Sequence, residues 1–529
     1  MGEVVKDEYQ TDYVAGQDNI SILGLDLHNW VFPISALIVV GFVVGSLMFP
    51  EQSKDLLDGA KWDIIASFDW FFLLSANVFV IVCLALIFMP VGKIRIGGQD
   101  AKPEFSNMSW FAMLFAAGMG IGLMFWAVAE PTAYFTGWYK TPLGVEPNTA
   151  EAAKLAMGAT MYHWGLHPWA IYAIVALSLA FFAYNKNMPL TIRSAFFPLL
   201  KDRVWGWPGH VIDVLAVVAT IFGLATSLGF GAQQAASGLN YLFDTGSGTN
   251  VQIAIIVGVT AVALFSVVRG LDGGVKLLSN INMGMAAILL FFVIFAGPTM
   301  DILQTIWVTS SQYVTNVIPL SNPFGREDEA WMQGWTVFYW AWWISWSPFV
   351  GMFIARVSKG RTVREFITAV LIIPTLITVV WMSSFGGTAL EQIQDNIGAL
   401  ATDGLTDVSL AMFQMFANLP LTGIISLVGI VLVLVFFVTS SDSGSLVIDS
   451  ITAGGKTDAP TAQRVFWAVM EGAIAAALVF GGGSDALGAI QATAISAGLP
   501  FTVILLVMTW GLLKGLSHER RLLLAKGEL

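Results

Sequence analysis

The segment Tyr339–Phe353 reads YWAWWISWSPFVGMF. It carries Trp340, Trp342, Trp343 and Trp346 ahead of Pro348 in an otherwise apolar run. A buried indole N–H seeks an acceptor, and proline removes a helix hydrogen bond. On a helix, Trp335, Tyr339, Trp342, Trp343 and Trp346 fall within a sector of about 80–100°. One face therefore carries an aromatic stripe. Membrane tryptophans usually belt the interface at span ends or fill a core. Trp342 to Trp346 instead sit mid-segment. Pro348 leaves the carbonyl of Ile344 without its usual donor, so an interrupted helix is expected here.

The whole chain of 529 residues is 56% hydrophobic and 12% charged, with a mean hydropathy of +0.73. Soluble domains are about 25% charged, and apolar stretches near the roughly 20 residues of a membrane span recur throughout. The chain reads as an all-α polytopic membrane protein. Twelve spans are expected, at about 30–49, 69–90, 108–129, 153–184, 209–231, 251–267, 275–297, 331–355, 365–385, 421–440, 463–480 and 488–513. In lipid each must satisfy its own backbone, which favours helices. A run at 302–314 is too polar to span and reads as an interfacial helix.

Placing both termini inside leaves only Lys54, Lys61, Lys140, Lys154 and Arg326 outside, of 25 Lys and Arg. That asymmetry satisfies the positive-inside rule and implies cytoplasmic tails at 1–29 and 514–529. Neither a cleavable signal nor an MGxxx[ST] lipidation start is expected. Cys83 is the single cysteine, so no intrachain disulfide forms. The net charge of −11 argues against nucleic-acid binding.

Span three contains GMGIGLMFWAVAEP, with Gly118, Gly120 and Gly122 alternating. Two readings stand. Small residues let helices pack closely, or the helix is locally unwound and exposes backbone to an ion or carboxylate. Span four carries YHWGLHPWAIY, with Trp164, Trp169 and Tyr172 beside Gly165 and Pro168. His163 and His167, one turn apart with no acid nearby in sequence, read as hydrogen-bonded packing residues rather than a metal pair. Buried aromatic faces with few acidic neighbours suit quaternary ammonium, held by cation–π attraction. Span ten ends in FFVTSSDSGS, either a serine-capped helix terminus or a shell of hydroxyls for sodium. GxSxG, HExxH and Walker A patterns are absent, so an enzyme is not expected.

Together GMGIGLMFWAVAEP, YHWGLHPWAIY, YWAWWISWSPFVGMFIARVSKGR and FFVTSSDSGS resemble the betaine/choline/carnitine transporter family over about 25–515. The resemblance implies the LeuT-like sodium-symporter fold of two inverted five-helix repeats, spans 3–7 (about 108–297) and 8–12 (about 331–513), preceded by two extra helices. It implies a homotrimer in the bacterial cytoplasmic membrane. Carried over, the aromatic box is Trp164, Trp169, Tyr172 and Trp343, with Trp342 and Trp346 on the access path. The backbone from Gly118 through Met119 and Gly120 to Gly122 faces the substrate carboxylate. One sodium ion takes backbone oxygens of Ala116, Met119 and Phe436 and the hydroxyls of Thr439 and Ser440. A second involves Thr220 and the Phe349 ring, although Leu224 departs from the hydroxyl pattern there. Choline-type relatives place an acid at the position of Gly122, so glycine favours a zwitterion. The implied activity is sodium-coupled import of glycine betaine, with dimethylsulfoniopropionate as runner-up. A channel would want a polar pore lining and a receptor a signalling domain, and the sequence offers neither.

Overall fold

The computed structural model describes residues 7–118, 120–269 and 276–529. Before the first long helix, a hairpin pairs β1 (Asn19–Ile22) with β2 (Leu25–His28). The long helices follow in order: α1 (Val31–Met48), α2 (Pro50–Phe88), α3 (Asn107–Gly118), α4 (Ile121–Thr136), α5 (Ala150–Trp164), α6 (Leu166–Lys186), α7 (Trp207–Phe243) and α8 (Thr249–Arg269). Then come α9 (Lys276–Ala296), α10 (Thr299–Ser321), α11 (Val337–Val357), α12 (Val363–Gln394), α13 (Thr422–Thr452), α14 (Thr461–Gly482) and α15 (Ala486–Lys526).

Every expected span coincides with one helix or, for spans three and four, with a pair. Among the described residues, ten helices are long and apolar enough to cross a membrane. The other two expected spans are the broken pair α3–α4 and the aromatic α11. The polar run at 302–314 is helical, as α10. It lays Ile302, Thr309, Tyr313 and Leu320 inward against α5 and α12, and Thr309 accepts from Ser383 Oγ at 2.9 Å.

Local chemistry explains several boundaries. Pro50 sits in the first turn of α2, where a missing N–H costs nothing. The helix therefore starts nineteen residues earlier than expected from hydropathy. Thr362 and Glu365 form a capping box that starts α12. Thr149 caps α5 by accepting from Ala152 N at 3.1 Å.

Two expectations need correction, and both tails carry regular structure. Span ten does not end in the hydroxyl run, because α13 continues to Thr452; those serines lie inside a helix and are not caps. The C-terminal tail from 514 continues α15 to Lys526. The N-terminal tail holds the hairpin, pinned by Gly16 N to Gly454 O at 3.0 Å and Asn19 Nδ2 to Ala453 O at 2.9 Å. Finally, Pro348 does not interrupt its helix: α11 runs through it. The Ile344 carbonyl that proline strands is met by Ser347 Oγ at 2.7 Å. The irregularity lies a few turns earlier, as a π-helical turn at Met332–Thr336. Such turns are rare and frequent at functional sites.

The core is built around α11. Every residue from Val337 to Pro348 is buried, between α6, α7 and α15. A helix apolar on all sides belongs at the centre of a bundle, so the aromatic stripe faces other helices and not lipid.

Candidate substrate site

Two helix breaks face the stripe. The first separates α3 from α4. α3 ends at Gly118, and Gly120 adopts an extended backbone (φ −162°, ψ −174°) before α4 begins at Ile121. The helix is thus broken at Gly120, as the unwound reading expects, while Gly122 lies inside α4, packed closely against indoles as the small-residue reading expects. The second break divides span four, which was expected to be continuous. Gly165 (φ −97°, ψ −130°) parts α5 from α6. A Cβ there would lie 2.7 Å from Met161 O and 2.8 Å from Tyr313 OH, so only glycine fits. Pro168 then falls in the first turn of α6, where proline is tolerated.

The last carbonyls of α5 consequently lack helical partners. One of them, His163 O, accepts from Trp343 Nε1 at 2.9 Å. This bond fixes Trp343 as the hub of the box. The Trp164 ring meets it edge-on at 4.9 Å and Tyr172 at 6.1 Å, while Trp342 stacks on it at 4.8 Å. Trp169 joins through Tyr172 at 5.5 Å. Such offset and edge-to-face geometries are the favourable ones for aromatic pairs. The expected box residues thus form one cluster.

The glycines adjoin it. A Cβ at Gly122 would lie 2.6 Å from Trp342 Cη2 and 2.9 Å from Trp164 Cη2. Gly120 faces Trp346 Cη2, at 3.6 Å from its ideal Cβ. Trp342 Nε1 is buried without a protein partner, and the ring edge next to it faces Gly122. A donor thus lies near the unwound segment. Met119 lies outside the described residues.

Trp346 donates to Gly223 O at 2.8 Å and meets Phe349 at 5.4 Å. It therefore links Phe349 to the α7 turn after Thr220. Thr220 itself donates to Ala216 O at 2.7 Å. Phe436, Thr439 and Ser440 share two turns of α13, and Ala116 lies in the last turn of α3. Thr439 Oγ1 donates back to Val435 O at 3.0 Å and Phe436 O at 3.2 Å, which leaves its lone pairs for an external cation. Among the described residues, no group of three or more His, Cys, Asp and Glu is placed to hold a metal.

Trp340 belongs to a different cluster. It stacks on His167 at 5.3 Å and meets Tyr162 edge-on at 5.0 Å. His167 Nε2 lies 3.0 Å from Asn77 Oδ1. Both histidines are buried and hydrogen-bonded within the protein.

One functional group is not expected from the sequence, where no acid adjoins these rings. Glu130 of α4 is fully buried and meets His163 Nδ1 at 2.9 Å. It also accepts from Trp164 Nε1 at 2.7 Å. The signal was the charged residue in AVAEP, a costly presence within a span.

Comparison with known proteins shows the family. The family model described as "BCCT, betaine/carnitine/choline family transporter" matches residues 30–521. Glycine betaine transporter 1 of Vibrio parahaemolyticus is 66% identical over 97% of this chain and 98% of its own length. A glycine betaine/proline/choline/ectoine transporter of the same organism is 59% identical over 96% and 91%. The glycine betaine transporter OpuD of Bacillus subtilis is 43% identical over 93% and 95%. The chain therefore belongs to the betaine/carnitine/choline transporter family: it is a multi-pass membrane transporter and not an enzyme.

Proposed function

We propose that this transporter imports a methylated zwitterion, glycine betaine first, by sodium symport. The observation that carries the reading is the box itself: Trp164, Trp169, Tyr172 and Trp343 form one buried aromatic cluster beside an unwound glycine segment. A trimethylammonium group cannot donate a hydrogen bond, and π-faces supply its attraction. Backbone N–H groups at the start of α4 suit the carboxylate, because a helix N-terminus favours anions. Gly122 places no acid beside the substrate carboxylate, which suits a zwitterion over choline.

Two broken or irregular helices opposite each other support the LeuT-like arrangement of inverted repeats. We place spans 3–7 and 8–12 in them, with twelve crossings in all. Both termini lie on the cytoplasmic side of a bacterial cytoplasmic membrane, and the assembly is a trimer. Sodium binds at Ala116, Met119, Phe436, Thr439 and Ser440, and a second ion at Thr220 and Phe349. Dimethylsulfoniopropionate is the second reading, because a sulfonium meets the same π-faces. The relatives' names include proline, choline and ectoine, which belong in the panel worth testing.

The test is uptake of radiolabelled glycine betaine into proteoliposomes holding the purified protein. An inward sodium gradient should drive accumulation above the external concentration, and an equal potassium gradient should not. Accumulation under both gradients alike contradicts sodium coupling. No saturable uptake of betaine or dimethylsulfoniopropionate under either contradicts the substrate class.

A further inference from the structure

Glu130 is hydrogen-bonded to Trp164 of the box, and neither the substrate nor the ion assignment uses it. Its carboxylate is enclosed by four donors. Oε1 meets Tyr134 OH at 2.8 Å and His163 Nδ1 at 2.9 Å. Oε2 accepts from Trp164 Nε1 at 2.7 Å and Tyr339 OH at 2.5 Å. An ionised carboxylate is acceptor-only with about four lone-pair sites, and these groups fill them when Tyr134 and His163, themselves 3.0 Å apart, both direct their protons at Glu130. His163 Nε2 lies 3.0 Å from Thr336 Oγ1. A neutral imidazole with its proton on Nδ1, directed at Glu130, fits Thr336 donating to Nε2. Among the described residues, no Lys or Arg lies within ion-pair distance of Glu130.

Two of the four donors belong to rings that touch the hub. Trp164 meets Trp343 edge-on at 4.9 Å, and Tyr339 is stacked on it at 6.2 Å. One buried carboxylate thus holds both rings by their polar atoms. A hydrogen bond from an indole N–H or a phenol to an anion pushes electron density into the ring, which strengthens attraction for a cation on its face. The charge also acts directly, and burial in low dielectric keeps it from being screened.

We propose that Glu130 is a specificity-determining positioning residue: a fixed counter-charge behind the aromatic box that makes it select onium groups over neutral groups of the same shape. It does not touch the substrate. This inference rests on the proposed substrate class.

The probes are glycine betaine and 3,3-dimethylbutanoate, its carbon isostere, in which tert-butyl replaces trimethylammonium. Each is measured as an inhibition constant against labelled betaine, on purified protein in proteoliposomes. In Glu130→Gln, betaine should weaken on the order of tenfold while the isostere changes less than twofold. Glu130→Asp keeps the charge but withdraws it by one methylene, so selectivity should fall by less than in the glutamine variant. Equal weakening of both ligands in Glu130→Gln would show a packing role and overturn the proposal. Should that variant fail to fold, Glu130→Asp decides. A selectivity loss confined to betaine supports the counter-charge, and unchanged selectivity or parallel weakening rejects it. Wild-type protein that binds no betaine refutes the substrate class itself, a result separable from either.

Discussion

Trp343 donates its indole N–H to the carbonyl of His163 at 2.9 Å, and that carbonyl is available because Gly165 ends the helix α5. The bond turns a sequence coincidence, a tryptophan-rich helix near a glycine break, into a rigid site. It also predicts that the break itself matters. Gly165→Ala would force a Cβ into Met161 O and Tyr313 OH, and should lower the melting temperature while weakening betaine binding. A variant with wild-type affinity and stability would show that the break is incidental.

Gly122 sits against two indoles. Gly122→Ala places a Cβ within 3 Å of both Trp342 and Trp164, so the rings must move and betaine affinity should fall several-fold. Gly122→Asp meets the same obstacle but adds a charge. It should raise choline uptake relative to betaine, because choline is purely cationic and betaine's own carboxylate is repelled. Choline uptake that stays at background in folded Gly122→Asp would place Gly122 away from the substrate.

Sodium coupling is tested at α13. Thr439→Ala with Ser440→Ala removes two hydroxyl oxygens from the proposed ion shell. The sodium concentration for half-maximal uptake should rise, with surface expression unchanged. An unaltered sodium dependence would remove both residues from the ion site.

The N-terminal hairpin is held by charge. Partial burial pushes the Asp26 carboxyl upward, and hydrogen bonds from Lys456 and Asn19 more than reverse this, holding it below the usual range. A lowered carboxyl pKa contributes stability above the unfolded value and loses it as pH falls through the folded one. Protection factors for amide exchange of residues 16–28 should therefore be high at neutral pH and fall below about pH 4. In Asp26→Asn they should be lower at neutral pH and flat across that range. A pH-independent wild-type hairpin would contradict the assignment.

Much of the site was readable from sequence because its parts are conspicuous. Four tryptophans within about two helical turns, and three alternating glycines, are costly inside an apolar span unless they build a site. What stayed hidden depended on tertiary contact. Glu130 is a single acid four residues before Tyr134, and its other partners come from 33 to 209 residues away. The intact passage of α11 through Pro348 was illegible for a related reason. Ser347 could be seen beside the proline, but whether its hydroxyl would meet Ile344 O depended on its rotamer. Gly165 and Pro168 were the signal for the break that a continuous span four overlooks, since a glycine followed by a first-turn proline is also how a helix begins.

The aromatic box is tested most directly by comparing two leucine variants on one helix. A desolvated cation–π contact contributes about 2 kcal/mol or more, or roughly 30-fold in affinity. Trp343→Leu keeps the site apolar but removes the π-face, so betaine binding measured by calorimetry should weaken by about that factor. Trp343→Phe should retain part of it. Trp340 stacks on His167, outside the box. Trp340→Leu should therefore leave affinity near wild type while costing about 3 kcal/mol of stability. Equal losses of affinity at Trp340 and Trp343 would mean that both tryptophans are packing, and that the substrate cation binds elsewhere.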